Sequence, residues 1–281
     1  MNTHYLFYKS YLCVCVLILS AVLASCSSVQ KPLPIVNNGS GFVERKIEAA
    51  PFLLTSYERV KAQGTTANIY IEGDGFAWLN KRTPSLDPTP KNPVAFDLAK
   101  LDKSDNVIYL ARPCQYSKLI MKRACPSKYW TSYRFSPEVL AVMDKALDDI
   151  KSRHNITKFH LIGFSGGGNV AALLTARRDD VLSLRTVAGN LDHATQSDIH
   201  KVSQMPSSLN AKDIALQINH IPQIHFIGGK DKIVPVPIYE SYKRASGNTN
   251  CVQSHIVENV SHAKGWQGVW SALLAQPFSC H

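Results

Sequence analysis

The chain has 281 residues, of which 45% are hydrophobic and 19% are charged, and its formal net charge is +10. This apolar fraction is ordinary for a globular protein and excludes a disordered chain. The length suffices for one full hydrophobic core, and seven cysteines are too few for a small disulfide-dense scaffold. The basic residues are dispersed and lack interleaved aromatic residues, which argues against a nucleic-acid-binding protein.

The N-terminus has the pattern of a targeting signal. The basic Lys9 precedes an apolar run over residues 11–24 that is too short to span a bilayer comfortably and ends in small residues. Residues 23–26 (LASC) resemble the lipobox of bacterial lipoproteins, in which the cysteine is acylated and begins the mature chain. The resemblance implies a lipoprotein signal peptide over 1–25 and lipid attachment at Cys26. An ordinary cleaved signal peptide and an uncleaved anchor are the alternatives.

Residues 26–42 are predicted to form a flexible, lipid-anchored tether, because they are rich in Ser, Pro, Asn and Gly. Ser27 follows the lipidated cysteine, as in lipoproteins that are sent to an outer membrane. We therefore expect an exported protein of the bacterial cell envelope, anchored in the outer membrane if the host has one. The rest of the chain, residues 43–281, is predicted to form a single domain.

Four cysteines remain once the signal peptide and the lipid attachment point are set aside. An even number in an oxidising compartment favours two disulfides, and four cysteines allow three pairings. We favour Cys114–Cys125, which closes a short loop, and Cys251–Cys280, which ties a late strand to the C-terminus. Four free thiols are the alternative.

Strand-like and helix-like segments alternate along the domain. Strands are predicted at 52–60, 67–71, 106–111, 159–164, 183–188, 223–228 and 252–257, and helices from Ser136 onward and at 169–177, 239–244 and 269–275. The first two strands are joined by a turn through Gln63 and Gly64, which predicts an antiparallel, hairpin-like start. The remaining alternation predicts an α/β fold with a mostly parallel sheet and helices on both faces. In such folds functional groups gather at the carboxyl ends of the strands.

The most informative motif is GFSGG at 163–167, between a predicted strand and a predicted helix. A serine hydroxyl is a weak nucleophile, which has to stand clear of the backbone beside a base, and a sharp glycine-flanked turn achieves this. A glycine-rich nucleotide loop is the other interpretation. It is disfavoured because Ser165 occupies the place of the second glycine in G-x-G-x-x-G.

Two further motifs also follow strands. GGKDKIVP at 228–235 contains Asp231, and SHAKG at 261–265 contains His262. An aspartate after a strand is more often a turn or helix cap, and a single loop histidine is ordinary. The chain order Ser, Asp, His at three such positions is much more specific, because an acid can hold the tautomer of a histidine that activates a serine.

Together these motifs resemble the α/β-hydrolase fold from about Phe52 to the C-terminus. The resemblance implies a catalytic domain over 43–281 without a large cap domain. It also implies that Ser165 is the nucleophile, His262 the general base and acid, and Asp231 the group that orients His262. The segments ARPCQY (111–116) and YWTSYRFSPEV (129–139) look like a subgroup of exported bacterial hydrolases.

The fold family also needs an oxyanion hole, built from preorganised N–H donors. One expected donor is the backbone N–H of Gly166. IEGDGF at 71–76 resembles the family's HG-containing loop, although Glu72 stands where histidine is common. We predict the backbone N–H of Asp74 as the second donor, with the N–H of Gly75 as the alternative. A third interpretation is that this segment is a glycine-rich turn with no catalytic role.

Asp192 competes with Asp231, because some members of the fold carry the acid one strand earlier. We favour Asp231 for its G-G-x-D-x-x-V-P context. No histidine spacing indicates a zinc site, so neither a metal nor an organic cofactor is expected.

The resemblance therefore implies an enzyme, a serine hydrolase that cleaves small-molecule or lipid-like carboxylic esters through an acyl-enzyme. The alternatives are a peptidase or acyltransferase with the same triad, and a catalytically inactive binding lipoprotein of the envelope.

Overall fold

The computed structural model describes residues 40–80, 82–117, 125–277 and 279–280. The predicted signal peptide, Cys26 and most of the predicted tether lie outside these residues. In chain order the elements are β1 (Val43–Ala49), β2 (Phe52–Val60), β3 (Ala67–Ile71), α1 (Val94–Leu101), β4 (Asn106–Leu110), a 3-10 turn (Ser127–Trp130), α2 (Pro137–His154), β5 (Phe159–Phe164), α3 (Gly166–Thr175), β6 (Val181–Val187), α4 (His193–His200), a second 3-10 turn (Ala211–Ile214), β7 (Gln223–Gly228), α5 (Val236–Ala245), β8 (Val252–Val257) and α6 (Trp266–Leu274).

The strands form one sheet in the order β1-β2-β4-β3-β5-β6-β7-β8. β2 is antiparallel to both β1 and β4, and all the other neighbours are parallel. This confirms the predicted mostly parallel sheet with an antiparallel start. Every residue of β4 and of β7 is buried, as expected for strands that are covered on both faces.

The hairpin at the start of the sheet was assigned to the wrong strands. It is formed by β1 and β2, with Ala49 opposite Phe52 and Val43 opposite Glu58. β1 escaped prediction because only Ile47 and Ala49 of its seven residues are buried, so this edge strand has no apolar run. β3 does not pair with β2, since it lies between β4 and β5 and is parallel to both.

Helices cover the two faces of the sheet, as the side chains of β3 illustrate. Successive residues of a strand point to opposite faces. Ile69 and Ile71 belong to the same buried apolar cluster as Met143 of α2. Tyr70, between them, packs on Trp270 of α6 with ring centroids 6.0 Å apart and accepts a hydrogen bond from its indole N–H at 3.2 Å.

Helix α2 forms where its cap and apolar spacing predict it. The side chain of Ser136 accepts a hydrogen bond from the Val139 N–H at 3.3 Å, and Pro137 occupies the first helical position. The residues at helical spacing on one face, which are Val139, Met143, Ala146 and Ile150, are all buried. These residues therefore belong to the core.

The structure contains the two favoured disulfides, Cys114–Cys125 and Cys251–Cys280. The second one joins the start of β8 to the C-terminal segment. At the other end of the domain, Phe42 is the last residue of the predicted tether, yet it is buried with its ring centroid 5.3 Å from that of Phe96. Among the described helices, none is long and apolar enough to cross a bilayer.

Candidate active site

Ser165 lies in the sharp turn between β5 and α3, at the carboxyl edge of the sheet. Its backbone has φ 51° and ψ −122°, a conformation that a residue with a side chain adopts only when its surroundings enforce it. Its N–H donates to the Val187 carbonyl at 3.0 Å, and its carbonyl accepts from the Asn190 N–H at 2.9 Å. A Cβ at Gly163 would collide with the carbonyl of Gly167, so the turn needs glycine there.

Asp231 lies in the loop after β7, and its side chain is fully buried. One carboxylate oxygen, Oδ1, accepts hydrogen bonds from the N–H groups of Ile233 at 2.8 Å and Val234 at 2.9 Å. These bonds fix the side chain and satisfy only one of its two oxygens. The other oxygen is therefore free to receive a partner from the neighbouring loop.

That partner is His262, from the loop after β8. Its Nδ1 lies 2.9 Å from Oδ2 of Asp231, and its Nε2 lies 3.0 Å from Oγ of Ser165. Because a carboxylate can only accept, Nδ1–H is the donor, and in the neutral ring Nε2 then accepts from the Ser165 hydroxyl. The loop is held by Trp266, whose indole N–H donates to the His262 carbonyl at 2.9 Å. The three residues thus form a continuous hydrogen-bonded chain.

Asp192 lies outside this chain, because its own surroundings use both of its carboxylate oxygens. It caps helix α4 by accepting from the N–H groups of Ala194 and Thr195, and it also accepts from Asn210 at 2.8 Å and Ser241 at 2.7 Å. Burial favours the neutral form of this carboxyl, but the hydrogen bonds from Ser241, Thr195 and Asn210 outweigh it and hold its pKa well below the ordinary value. Asp192 therefore organises the α4 region.

Two backbone N–H groups beside Ser165 are the expected oxyanion donors. Gly166 is the first residue of α3, where an N–H has no acceptor within the helix. The loop after β3 approaches from the other side, since a Cβ at Gly73 would lie 3.2 Å from the Cβ of Ser165. Gly73 itself is unsuitable because its N–H donates to the side chain of Glu72 at 2.9 Å. The N–H of Asp74 has no acceptor among the described residues.

The buried side chain of Gln115 fixes the direction of this Asp74 N–H. Its amide nitrogen donates to the Gly73 carbonyl at 2.9 Å, and its amide oxygen accepts from the Arg112 N–H at 3.0 Å. The carbonyl of one residue and the N–H of the next point in opposite directions across a trans peptide. Gln115 therefore turns the Asp74 N–H away from itself. Gly75, by contrast, packs against Gln115 and the Pro88 carbonyl.

Glu72 follows the last residue of β3 and directly precedes Gly73. The side chain is buried, and burial raises its pKa to about 7, an effect that the hydrogen bond from the Gly73 N–H opposes in part. Near neutral pH this carboxyl is thus divided between its neutral and ionised forms.

A small charged cluster adjoins the same loop. The carboxylate of Asp74 packs against Gly166 and lies 3.1 Å from Nε of Arg134 and 3.6 Å from Nη1 of Arg112. Arg112 also donates to the Arg134 carbonyl, and both guanidinium groups lie 5.2 Å from the ring centroid of Phe135. Burial lowers the pKa of Arg112 to about 10, which leaves it protonated at neutral pH.

The positions of Gln115, Arg112 and Arg134 beside the candidate site were not predicted from the sequence. The only signal was their presence in the two segments that look like a hydrolase subgroup, 111–116 and 129–139. Nothing in these segments shows that they meet the loop after β3. Among the residues that the structure describes, no cluster of three or more His, Cys, Asp or Glu side chains could hold a metal ion.

No protein-family model matches the chain, and neither does any curated protein. Solved structures do. An esterase from Pyrococcus furiosus aligns with a TM-score of 0.58 and 12% identity over 83% of this chain and 88% of the esterase. A proline iminopeptidase from Mycobacterium smegmatis aligns with a TM-score of 0.59 and 12% identity over 82% of this chain and 96% of the iminopeptidase. An α/β serine hydrolase homologue from Coxiella burnetii aligns with a TM-score of 0.52 and 15% identity over 82% of this chain and 93% of the homologue. The chain therefore has the α/β-hydrolase fold.

Proposed function

We propose that the protein is a serine hydrolase that cleaves carboxylic esters through an acyl-enzyme. The observation that carries this proposal is the hydrogen-bonded chain from Asp231 through His262 to the Ser165 hydroxyl. The Ser165 hydroxyl, the last member of this hydrogen-bonded series, lies beside two backbone N–H groups, those of Gly166 and Asp74. A nucleophile, a base, a group that orients the base and a pair of oxyanion donors are the parts that acyl transfer needs.

In the first half of the reaction, Oγ of Ser165 attacks the carbonyl carbon of the ester while Nε2 of His262 takes the hydroxyl proton. The carbonyl oxygen becomes an oxyanion, which the N–H groups of Gly166 and Asp74 stabilise. Asp231 stabilises the imidazolium that forms. Collapse of the tetrahedral intermediate breaks the bond to the alcohol oxygen, which receives the proton from His262.

In the second half, a water molecule attacks the acyl carbon as Nε2 of His262 takes one of its protons. The new tetrahedral intermediate collapses, the carboxylic acid leaves, and the proton returns to Oγ of Ser165. No net proton is stored in the enzyme over the cycle, although the acid product ionises in solution.

The test uses purified full-length protein with p-nitrophenyl acetate and butanoate, their p-nitroanilide counterparts, and glycerol as an added acyl acceptor. Hydrolysis of the esters that Ser165→Ala abolishes is the expected result. Faster cleavage of the anilides would favour a peptidase, and preferential formation of glycerol esters an acyltransferase. If the folded protein turned over none of these compounds, the binding-protein alternative would replace the proposal.

We also propose export and lipid attachment at Cys26, on the strength of the lipobox-like residues 23–26. The test is metabolic labelling of the full chain with radioactive palmitate, with and without globomycin. We expect label in the wild type, accumulation of the precursor with globomycin, and no label in Cys26→Ala. Absence of label in the wild type would remove the lipid anchor but leave the proposed reaction intact.

A further inference from the structure

We infer that the substrate carries an anionic group, a carboxylate, in addition to its scissile ester, and that Arg134, backed by Arg112, binds it. This inference rests on the proposed function and names its substrate class. It starts from the position of the two arginines, which are linked to the nucleophile through Asp74 and Gly166. Asp74 touches Gly166, the residue after Ser165, and the two guanidinium groups adjoin the carboxylate of Asp74.

The charges in this cluster do not balance. Two guanidinium cations face one carboxylate, that of Asp74, while the nearby Glu72 is only partly ionised at neutral pH. His193 stacks on Phe135 with ring centroids 5.8 Å apart, and burial lowers its pKa, which disfavours the charged form of the imidazole. A positive excess therefore lies beside the reaction centre, where a substrate anion would meet it.

Among the described residues, three buried guanidinium nitrogens of the two arginines have no hydrogen-bond partner, against two such carboxylate oxygens, Oδ1 of Asp74 and Oε2 of Glu72. The side chain of Arg112 is only 5% exposed, yet its Nε and Nη1 have no hydrogen-bond partner among the described residues. The same holds for Nε of Arg134, although this group lies near Asp74. Buried guanidinium donors normally find acceptors, and a planar carboxylate matches their fork geometry.

The two arginines differ in what they can reach. Arg134 retains 14% side-chain exposure, so it is the one that a substrate can contact directly. Arg112 is deeper, donates to the Arg134 carbonyl, and contributes a second positive charge from behind. Phe135 lies under both guanidinium groups and keeps them together. Arg134 is thus the specificity-determining residue and Arg112 its support.

The experiment compares kcat/KM for two matched substrate pairs with the purified full-length protein. The first pair places the charge on the acyl side, as mono-p-nitrophenyl glutarate against p-nitrophenyl pentanoate. The second places it on the alcohol side, as 4-acetoxybenzoate against its methyl ester. We expect at least one pair to show a preference for the anion of about tenfold or more, as an ion near an unbalanced charge in a partly buried site should.

Three variants identify the source of this preference. Arg134→Gln should reduce the anion-to-neutral ratio by about tenfold, and Asp74→Asn, which removes the opposing charge, should raise it by about threefold. Arg177→Gln is the matched control, because Arg177 is exposed at the opposite end of α3 and its loss lowers the net charge of the protein equally. The control should change the ratio less than about twofold.

The outcomes separate this inference from the proposed function. Neutral esters hydrolysed without preference for either anion would overturn the anionic-substrate inference and leave the ester hydrolase standing. An anion preference that Arg177→Gln reduces as much as Arg134→Gln would assign it to overall charge and also overturn the inference. Failure of both charged and neutral esters would contradict the proposed function itself.

Discussion

On its histidine side the candidate site consists of side chains that contact one another directly, whereas on its oxyanion side it consists of backbone N–H groups that other residues hold in place. Asp231, His262 and Ser165 each follow a strand of the same sheet and meet at 2.9 and 3.0 Å. The Asp74 N–H instead depends on Gln115, which comes from a different part of the chain. We therefore expect activity to depend on the identity of the three side chains on the histidine side. On the oxyanion side, we expect it to depend also on residues such as Gln115 that do not contact the substrate.

The largest expected effect is on the histidine side. Asp231→Asn keeps an oxygen for the N–H groups of Ile233 and Val234 but turns an NH₂ group toward Nδ1 of His262. This favours the wrong histidine tautomer, so kcat should fall by about 10⁴-fold. Steady-state ester hydrolysis measures it, with Asp179→Asn, an exposed aspartate, as the matched control. Near-normal activity of Asp231→Asn would contradict the role of Asp231 and favour Asp192 as the acid that orients His262.

The next effect tests the oxyanion side. Gln115→Met keeps the side-chain volume but removes the donor to the Gly73 carbonyl, which lets the Gly73–Asp74 peptide rotate. We expect kcat to fall by roughly 10- to 100-fold with little change in KM, because an oxyanion donor acts mainly in the transition state. Gln217→Met is the control, since Gln217 donates to the Ala176 carbonyl on the surface. A fall in the unfolding midpoint without loss of kcat would make Gln115 purely structural.

A third effect separates the two aspartates. In Asp192→Asn an NH₂ group in the place of Oδ2 faces the hydroxyl donors of Thr195 and Ser241, so the free energy of unfolding should fall by about 3 kcal/mol. The kcat of the folded variant should stay within about threefold of the wild type. Urea unfolding followed by circular dichroism, together with the ester assay, checks both values. Loss of kcat at full stability would contradict the architectural role.

The smallest effect concerns Glu72, behind the oxyanion loop. Its folded-state pKa of about 7 lies above the value of about 4.3 for an unfolded glutamate. The folded state therefore binds more protons between these two values, and stability should decline as pH rises from 5 to 8. The decline amounts to about 2 kcal/mol and levels off above pH 7. Glu72→Gln should flatten this dependence in urea unfolding at pH 5, 6, 7 and 8; an equal slope in both proteins would contradict the assignment.

The contrast between the two sides also explains how much the sequence could predict. Ser165, Asp231 and His262 follow strands that local apolar runs mark, and parallel strands bring their carboxyl ends to one edge. Their meeting could therefore be expected. Gln115 and Arg134 contact Gly73 and Asp74, which are far away in sequence, and no local pattern specifies such contacts.

The same limit applies to the fold. The parallel strands and α2 were predictable because burial and capping leave local signals. The position of β3 between β4 and β5 was not, since strand order depends on long-range pairing. Helices α1 and α4 were also missed. Helix α4 has only His193 and Ser197 buried, so it lacks an apolar stripe and depends on the Asp192 cap.

The most direct test of the central claim, that Ser165 is a nucleophile activated through His262 by Asp231, is labelling with a fluorophosphonate followed by peptide mass spectrometry. We expect one label per chain on Ser165 in the wild type and in Asp192→Asn, much slower labelling in Asp231→Asn, and none in His262→Ala. Labelling of a different residue, or of His262→Ala at the wild-type rate, would contradict the account.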